Sequence, residues 1–297
     1  MLTLTTEVEK QNEEQRKLQV TGGSTFILSL PKEWAIRNEL KRGSSMVVRE
    51  EDDGSLCISP SKFVKKEKQD EAFIKASASD NPDAIMRTAI SAYLSGYNIL
   101  HIRAPPQKVL SAKVRNHLKN FARHYLVGTE IVIDTPTELT LQVLLNYPEL
   151  TVQNALSRMS IIASSMHKEA LASLKKLDYS TAKSVIETDR EVNRFGLYIV
   201  RLLKLAVSNP RVVKEIGLNS QRDCLGYRLI AKAVERTADH ATKIAENTLC
   251  LKEQLNPEFS EKLNELSTLA ITMFENSMDA LFRQDFNLAE TVIEKTS

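Results

Sequence analysis

The chain has 297 residues, 42% of them apolar and 26% charged, with 40 Lys+Arg against 38 Asp+Glu for a net charge of +2. That length supports two or three compact domains, and the composition excludes a wholly disordered or fibrous protein. The near-neutral total argues against coating nucleic acid through bulk charge, but it conceals a local excess: residues 16–49 hold seven cations, Arg16, Lys17, Lys32, Arg37, Lys41, Arg42 and Arg49, against Glu33 and Glu39.

The first residues, MLTLTTEVEKQNEEQ, are acidic and polar, unlike a secretory leader. No stretch approaches the roughly 18 apolar residues of a spanning helix, so a cytoplasmic protein without membrane insertion is expected. Residues 16–60 then read as short strands between turns. RKLQV leads to Gly22-Gly23, STFILSL to Pro31 and a short helix KEWAIRNEL, and Gly43 to SMVVRE, a turn at Asp52-Asp53-Gly54 and SLCISP. So small a β unit has too few apolar residues to bury a core alone, and dimerisation is the expected remedy. Trp34, followed by Ala35 and Ile36 inside the short helix, suits a core anchor better than a base-stacking platform. Read from charge alone, the cations of 16–49 are either a phosphate-binding surface or a solvated face.

Residues 72–144 alternate as β-α-β-α-β-β. FIKASA is a strand, and Asn81-Pro82 opens a helix with Ile85, Ala89, Ala92, Tyr93 and Gly96 on one face. The strand YNILHI follows. A second helix turns Leu110, Val114, Leu118, Phe121, Ala122 and Tyr125 inward and stops at Gly128, and EIVID and ELTLQVLL complete a small α/β layer without a Gly-rich phosphate loop.

No Gly or Pro occurs from Glu149 to Phe195, so the architecture changes near residue 150. Long helices are expected at about 152–177, 180–207, 219–251 and 260–284, with another begun at Leu288. In 219–251 the stripe Leu225, Leu229, Ala233, Thr237/Ala238, Ala241, Ile244/Ala245 and Leu249 reads as one buried face. A shift of 107 residues aligns Leu171 with Met278, Leu174 with Leu281, Asp178 with Asp285, Ala182 with Ala289 and Val185-Ile186-Glu187 with Val292-Ile293-Glu294. The bundle therefore repeats itself. Its second copy stops at Ser297, the counterpart of Arg190, so either a partner chain is expected on that face or the chain is shortened.

The fold class is thus multidomain: a small β domain at 12–62, an α/β connecting domain at 70–148 and an all-α bundle at 151–297. Cys57, Cys224 and Cys250 have no CxxC spacing, so reduced, mostly buried thiols are expected.

One helix of the bundle places Glu235, Asp239 and Glu246 within about 40° of one another around its axis. The preceding helix offers Asp189 and Asn193 at i, i+4. Carboxylates so placed on adjacent helices can converge on a hard cation, or form a solvated face neutralised by Lys232, Arg236 and Lys243. His240 adjoins Asp239 but points about 100° away, as a hydrogen-bonded helix residue would. His101, His117, His124 and His167 sit singly. With no triad, nucleophile elbow or phosphate cradle, no enzymatic activity is expected.

Two resemblances follow from these segments. Residues 16–60, with Arg16-Lys17-Leu18-Gln19-Val20-Thr21-Gly22-Gly23, Ser29-Leu30-Pro31-Lys32-Glu33-Trp34 and Leu40-Lys41-Arg42-Gly43, resemble the AbrB/SpoVT family of swapped-hairpin DNA-binding domains. That resemblance implies an intertwined homodimer whose basic face meets DNA through Arg16, Lys17, Thr25, Lys32, Arg37, Lys41, Arg42 and Arg49. Residues 152–297 resemble the PhoU family of phosphate-uptake regulators in Asp178, Ala182, Val185-Ile186-Glu187, Asp189 and Asn193, and in Glu235-Arg236-Thr237-Ala238-Asp239 with Ile244-Ala245-Glu246. It implies a multivalent metal ion, iron, zinc or magnesium, on Asp189, Asn193, Glu235, Asp239 and Glu246, with Asn193 where Asp is common. Together they imply a dimeric transcriptional regulator of phosphate uptake whose helical part senses or relays phosphate status. The rival reading is an adaptor that docks on a phosphate transporter or sensor kinase without touching DNA.

Overall fold

The computed structural model describes residues 14–50, 54–61, 71–145 and 149–295. The chain divides into two compact units, Met1–Lys68 and Gln69–Ser297.

In the first unit, β1 (Gln19–Thr21) and β2 (Thr25–Ile27) form an antiparallel hairpin with Val20 opposite Phe26. Its tight turn requires positive φ at Gly22 and Gly23, which glycine adopts without steric cost. Pro31 caps α1 (Lys32–Arg37), and β3 (Met46–Glu50) pairs with β4 (Leu56–Pro60) in a second hairpin. The first two strands are shorter than their apolar runs suggest. No Val, Ile, Leu, Met, Phe or Trp among the described residues of this unit is buried, and Phe26 is 66% exposed.

The second unit begins with a four-stranded sheet in the order β5 (Glu71–Lys75), β6 (Ile99–Arg103), β8 (Glu138–Val143), β7 (Thr129–Asp134). β5 and β6 are parallel, as the crossover through α2 (Pro82–Leu94) demands, and the remaining pairs are antiparallel. Asn81 and Ser111 cap α2 and α3 (Ala112–Tyr125) with side-chain oxygens. The two helices bury Ile85, Ala89, Tyr93, Val114, Leu118 and Phe121 against Ile74, Leu100, Ile102, Leu139 and Leu141 of the sheet. Strand alternation sends the intervening residues the other way. There His101 stacks on Phe73 at 4.8 Å, and Arg103 lies over the same ring.

The bundle packs α4 (Val152–Lys176), α5 (Tyr179–Ser208) and α7 (Asp223–Cys250) on one another, with α6 (Pro210–Glu215) as an unanticipated turn between α5 and α7. α8 (Pro257–Arg283) lies on α4, and α9 (Phe286–Glu294) returns along α8. The internal repeat is visible in the backbone. Leu177 and Gln284 end α4 and α8 in the left-handed conformation, and Asp178 and Asp285 cap the next helices. Asp178 N–H donates to the Ser173 carbonyl as Asp285 N–H does to Ala280, each pair displaced by the same 107 residues.

Two expectations are corrected. The buried face of α7 is Cys224, Ala231, Val234, Ala238, Ala241, Ala245 and Thr248, whereas Leu225 and Leu229 are each 74% exposed. Successive i+4 steps rotate by about 40° each, so the Leu225-Leu229-Ala233 stripe wanders off the face that mixed steps of three and four maintain. Nor are the thiols mostly buried: Cys57 and Cys250 are exposed, and only Cys224 is enclosed.

One buried cation joins the sheet layer to the bundle. Arg201, 0% exposed in the middle of α5, donates through Nη1 to the carbonyls of Tyr93 and Tyr97 (3.0 Å) and through Nη2 to Gly96 O (3.2 Å) and Asn98 Oδ1 (2.7 Å). Its guanidinium also stands over the Tyr93 ring at 4.7 Å. A cation at the end of α2 answers both the terminal carbonyls and the helix dipole.

Candidate functional site

In the N-terminal unit, Arg16, Lys17, Thr25, Lys32, Arg37, Lys41 and Arg42 are exposed and Arg49 is half-buried. Thr25 opens β2, Lys32 and Arg37 begin and end α1, and Arg49 lies on β3 opposite Cys57. Lys41 and Arg42 occupy the turn after α1, where Lys41 N–H donates to Ser44 Oγ at 2.9 Å. Arg16 is paired with Glu14. Trp34 is half-buried, and its carbonyl accepts from Asn38 Nδ2 at 2.7 Å. Exposed guanidinium and ammonium groups on a short β framework can meet phosphates without prior desolvation of a buried charge.

The acidic residues of α5 and α7 lie within the second unit. Asp189 is half-buried, and Asn193, one turn later, donates through Nδ2 to its Oδ2 at 2.6 Å. Burial, followed by the negative charge of Asp239 and then of Glu235, pushes the Asp189 carboxyl above the usual aspartate range. Thr242 lies beside the carboxylate and offsets part of this, yet neither Thr242 Oγ1 nor Asp189 Oδ1 completes a hydrogen bond of normal geometry. A buried, unanswered carboxylate oxygen is costly.

The packing thus brings Asp189, Asn193, Glu235 and Asp239 together and leaves Glu246 apart. Glu246 is exposed and held by Lys243 Nζ at 2.9 Å, and it is not among the charges acting on Asp189. Lys232 Nζ likewise takes Glu235 Oε1 at 2.6 Å. Among the described residues no three His, Cys, Asp or Glu side chains gather closely enough to hold a metal ion. In this arrangement the acids are a repulsive cluster in which lysines hold Glu235 and Glu246 while Asp189 Oδ1 is left unanswered.

The histidines are less solitary than their spacing suggests. His101 Nδ1 is 2.8 Å from Glu138 Oε1 and its Nε2 is 3.4 Å from Glu71, while His117 faces Asp83 at 3.1 Å. His167 Nε2 meets Ser267 Oγ at 2.6 Å across α4 and α8, and burial followed by the charge of His240 lowers its pKa. Strand register alone creates the His101 pair, since β6 and β8 set Arg103 opposite Glu138 and His101 opposite Thr140. Among the described residues no helix is long and apolar enough to cross a membrane.

Comparison with known proteins agrees with this division of the chain. Residues 156–248, covering most of α4 and all of α5 to α7 up to Thr248, match the family model of the PhoU domain. Residues 19–66 match the family model described as antidote-toxin recognition MazE, bacterial antitoxin. No curated protein and no solved structure matches.

Proposed function

From a chain that carries a MazE/AbrB-like domain ahead of a PhoU domain, we propose a transcriptional regulator of phosphate uptake and homeostasis. It binds DNA as a homodimer through the N-terminal domain, and the helical domain senses or relays phosphate status. The fusion is the observation that carries this reading. Two features of the described residues of the first unit support it: most of its cations are solvent-facing, and its Val, Ile, Leu, Met, Phe and Trp side chains are at most half-buried within one chain, a deficit that a second copy would fill. The protein has no catalytic role in this reading.

A multivalent cation, iron, zinc or magnesium, remains part of the proposal, with Asp189, Asp239 and Glu235 as its donors and Asn193 through its amide oxygen. The unanswered Asp189 Oδ1 favours it, because a cation would neutralise the charge that burial now penalises. Metal analysis of purified wild type against Asp189→Asn/Asp239→Asn tests this directly. Equal content in both would reject the site.

The adaptor reading draws on the PhoU domain alone, and the Glu14 partner of Arg16 favours it by removing one cation from the surface. Electrophoretic shifts with DNA upstream of phosphate-transport genes separate the readings. A shift at low salt that disappears in Arg16→Ala/Lys17→Ala/Lys32→Ala/Arg42→Ala supports the regulator, and no shift from a folded dimer supports the adaptor.

A further inference from the structure

Beside the acidic cluster, a cavity of about 810 Å³ opens between the sheet layer's helices α2 and α3 and the bundle helices α5 and α7. Its volume lies in the range of small-molecule sites, about 300–1,000 Å³. Its floor is apolar and partly aromatic: Met86 and Ile90 from α2, Phe121 from α3, and Leu197 and Val200 from α5. Phe121 stacks with Tyr125, a second lining residue, at 5.2 Å, which fixes a flat wall on that side.

The polar lining is cationic. Arg190, Arg228 and Lys232 face Glu235 alone among carboxylates, and Asn120, His117 and His124 add further polar groups from α3. Lys232 and Glu235 satisfy each other. Among the described residues, Arg190 and Arg228 have no carboxylate partner.

The helix geometry places these two arginines. A Cβ added to Gly196 would lie 3.9 Å from Glu235 Oε2, and Asp189 meets the charge of Asp239 and the hydroxyl of Thr242, so α5 and α7 run antiparallel. Arg190 then lies level with the stretch near Asp239, eleven residues along α7 from Arg228. At 1.5 Å per residue that separation is roughly 16 Å along the axis. The two arginines thus join the lining of an apolar, aromatic-walled cavity from backbone positions well separated along the helix axes.

We propose that this cavity binds a nucleoside phosphate. The base lies on the apolar floor against Phe121, the phosphate takes an arginine fork at one end, and the polar groups of α3 meet the sugar. A bare phosphate would leave the apolar floor uncovered, and a neutral nucleoside would answer neither arginine, whereas a nucleoside phosphate covers the floor and answers one. The inference rests on the cavity and stands apart from the DNA-binding reading.

Isothermal titration of the full chain with AMP and GMP, and with adenosine and inorganic phosphate as the separated halves, tests it. At least one nucleotide should saturate at one per chain, about tenfold or more tighter than either half, and Arg190→Ala/Arg228→Ala should weaken it about tenfold or more. Arg236→Ala/Lys243→Ala removes the same charge from α7 positions outside the cavity and should leave binding unchanged. No saturable binding of either nucleotide, adenosine binding as tightly as AMP, or full affinity in the Arg190/Arg228 variant would each overturn the proposal. Arg190 and Arg228 are both exposed at the cavity rim, so these substitutions do not open the core.

Discussion

Replacing Arg201 by Met keeps an unbranched apolar stem but removes every donor that ties α5 to the end of α2. Four acceptors lose a donor: the carbonyls of Tyr93, Gly96 and Tyr97, and Asn98 Oδ1, of which Tyr93 O keeps the Gly96 N–H at 3.1 Å. The bonds to Tyr93 and Gly96 are fully buried, and the Gly96 carbonyl, left unsatisfied there, costs about 1–3 kcal/mol. Tyr97 is exposed, so water can replace part of its bond. Removing the guanidinium also recovers the penalty of burying a charge, including its Nε, which has no partner now. Weighing these, Arg201→Met should destabilise the second unit by about 1–3 kcal/mol. Urea unfolding followed by far-UV circular dichroism measures this, with Arg201→Lys intermediate because one ammonium cannot span the four acceptors. A loss below about 1 kcal/mol would refute the reasoning, because it would mean that the α2 terminus satisfies itself without the arginine.

Asp189→Asn should stabilise the fold at neutral pH. The raised pKa means that the native state holds its proton more tightly than the unfolded chain, so wild-type stability falls as pH rises from about 4 through the native value. The variant should show a flatter profile in that window by urea unfolding, and an unchanged slope would contradict the assignment. Phe26→Ser should weaken the proposed dimer: burying the exposed two-thirds of one ring is worth about 1.5–2 kcal/mol, counted twice in a symmetric pair, so sedimentation equilibrium should show Kd rising about 10²–10³-fold. Gly196→Ala should raise stability by about 0.5–1 kcal/mol, because the new methyl meets Met159 and Glu235 at ordinary contact distances in mid-helix. Destabilisation in thermal melts would mean that the helix pair needs a closer approach than 3.6 Å allows.

Local chemistry made much of this fold legible. Glycine and proline punctuation located both hairpins, Asn81-Pro82 started α2, and the aspartates at positions 178 and 285 revealed a repeat that the backbone reproduces. The stripe on α7 misled because leucines look buried wherever they recur, whereas this helix packs closely through alanines. Arg201 carried a readable signal: it sits three residues after buried Tyr198 and one before buried Leu202, on the core face of α5, where a charge requires several acceptors. Only the crossing of α5 with α2 shows which acceptors they are. The charges of Glu235 and Asp239 on α7 act on Asp189, but angle around one axis says nothing of height along it, and Glu246 lies about three turns beyond Glu235. Tertiary packing, not spacing, makes Asp189 the buried member of the group.

We propose a dimeric DNA reader joined to a PhoU-like helical domain. Fluorescence anisotropy of labelled DNA from upstream of a phosphate-transport gene, titrated with the full chain across a salt series, tests it most directly. If exposed cations meet phosphates on both copies, log K should fall with log salt at a slope of about −4 or steeper, and the Arg16, Lys17, Lys32 and Arg42 alanine variant should flatten it by several units. A folded dimer that gives no anisotropy change at low salt, or a slope indifferent to those four residues, would contradict it.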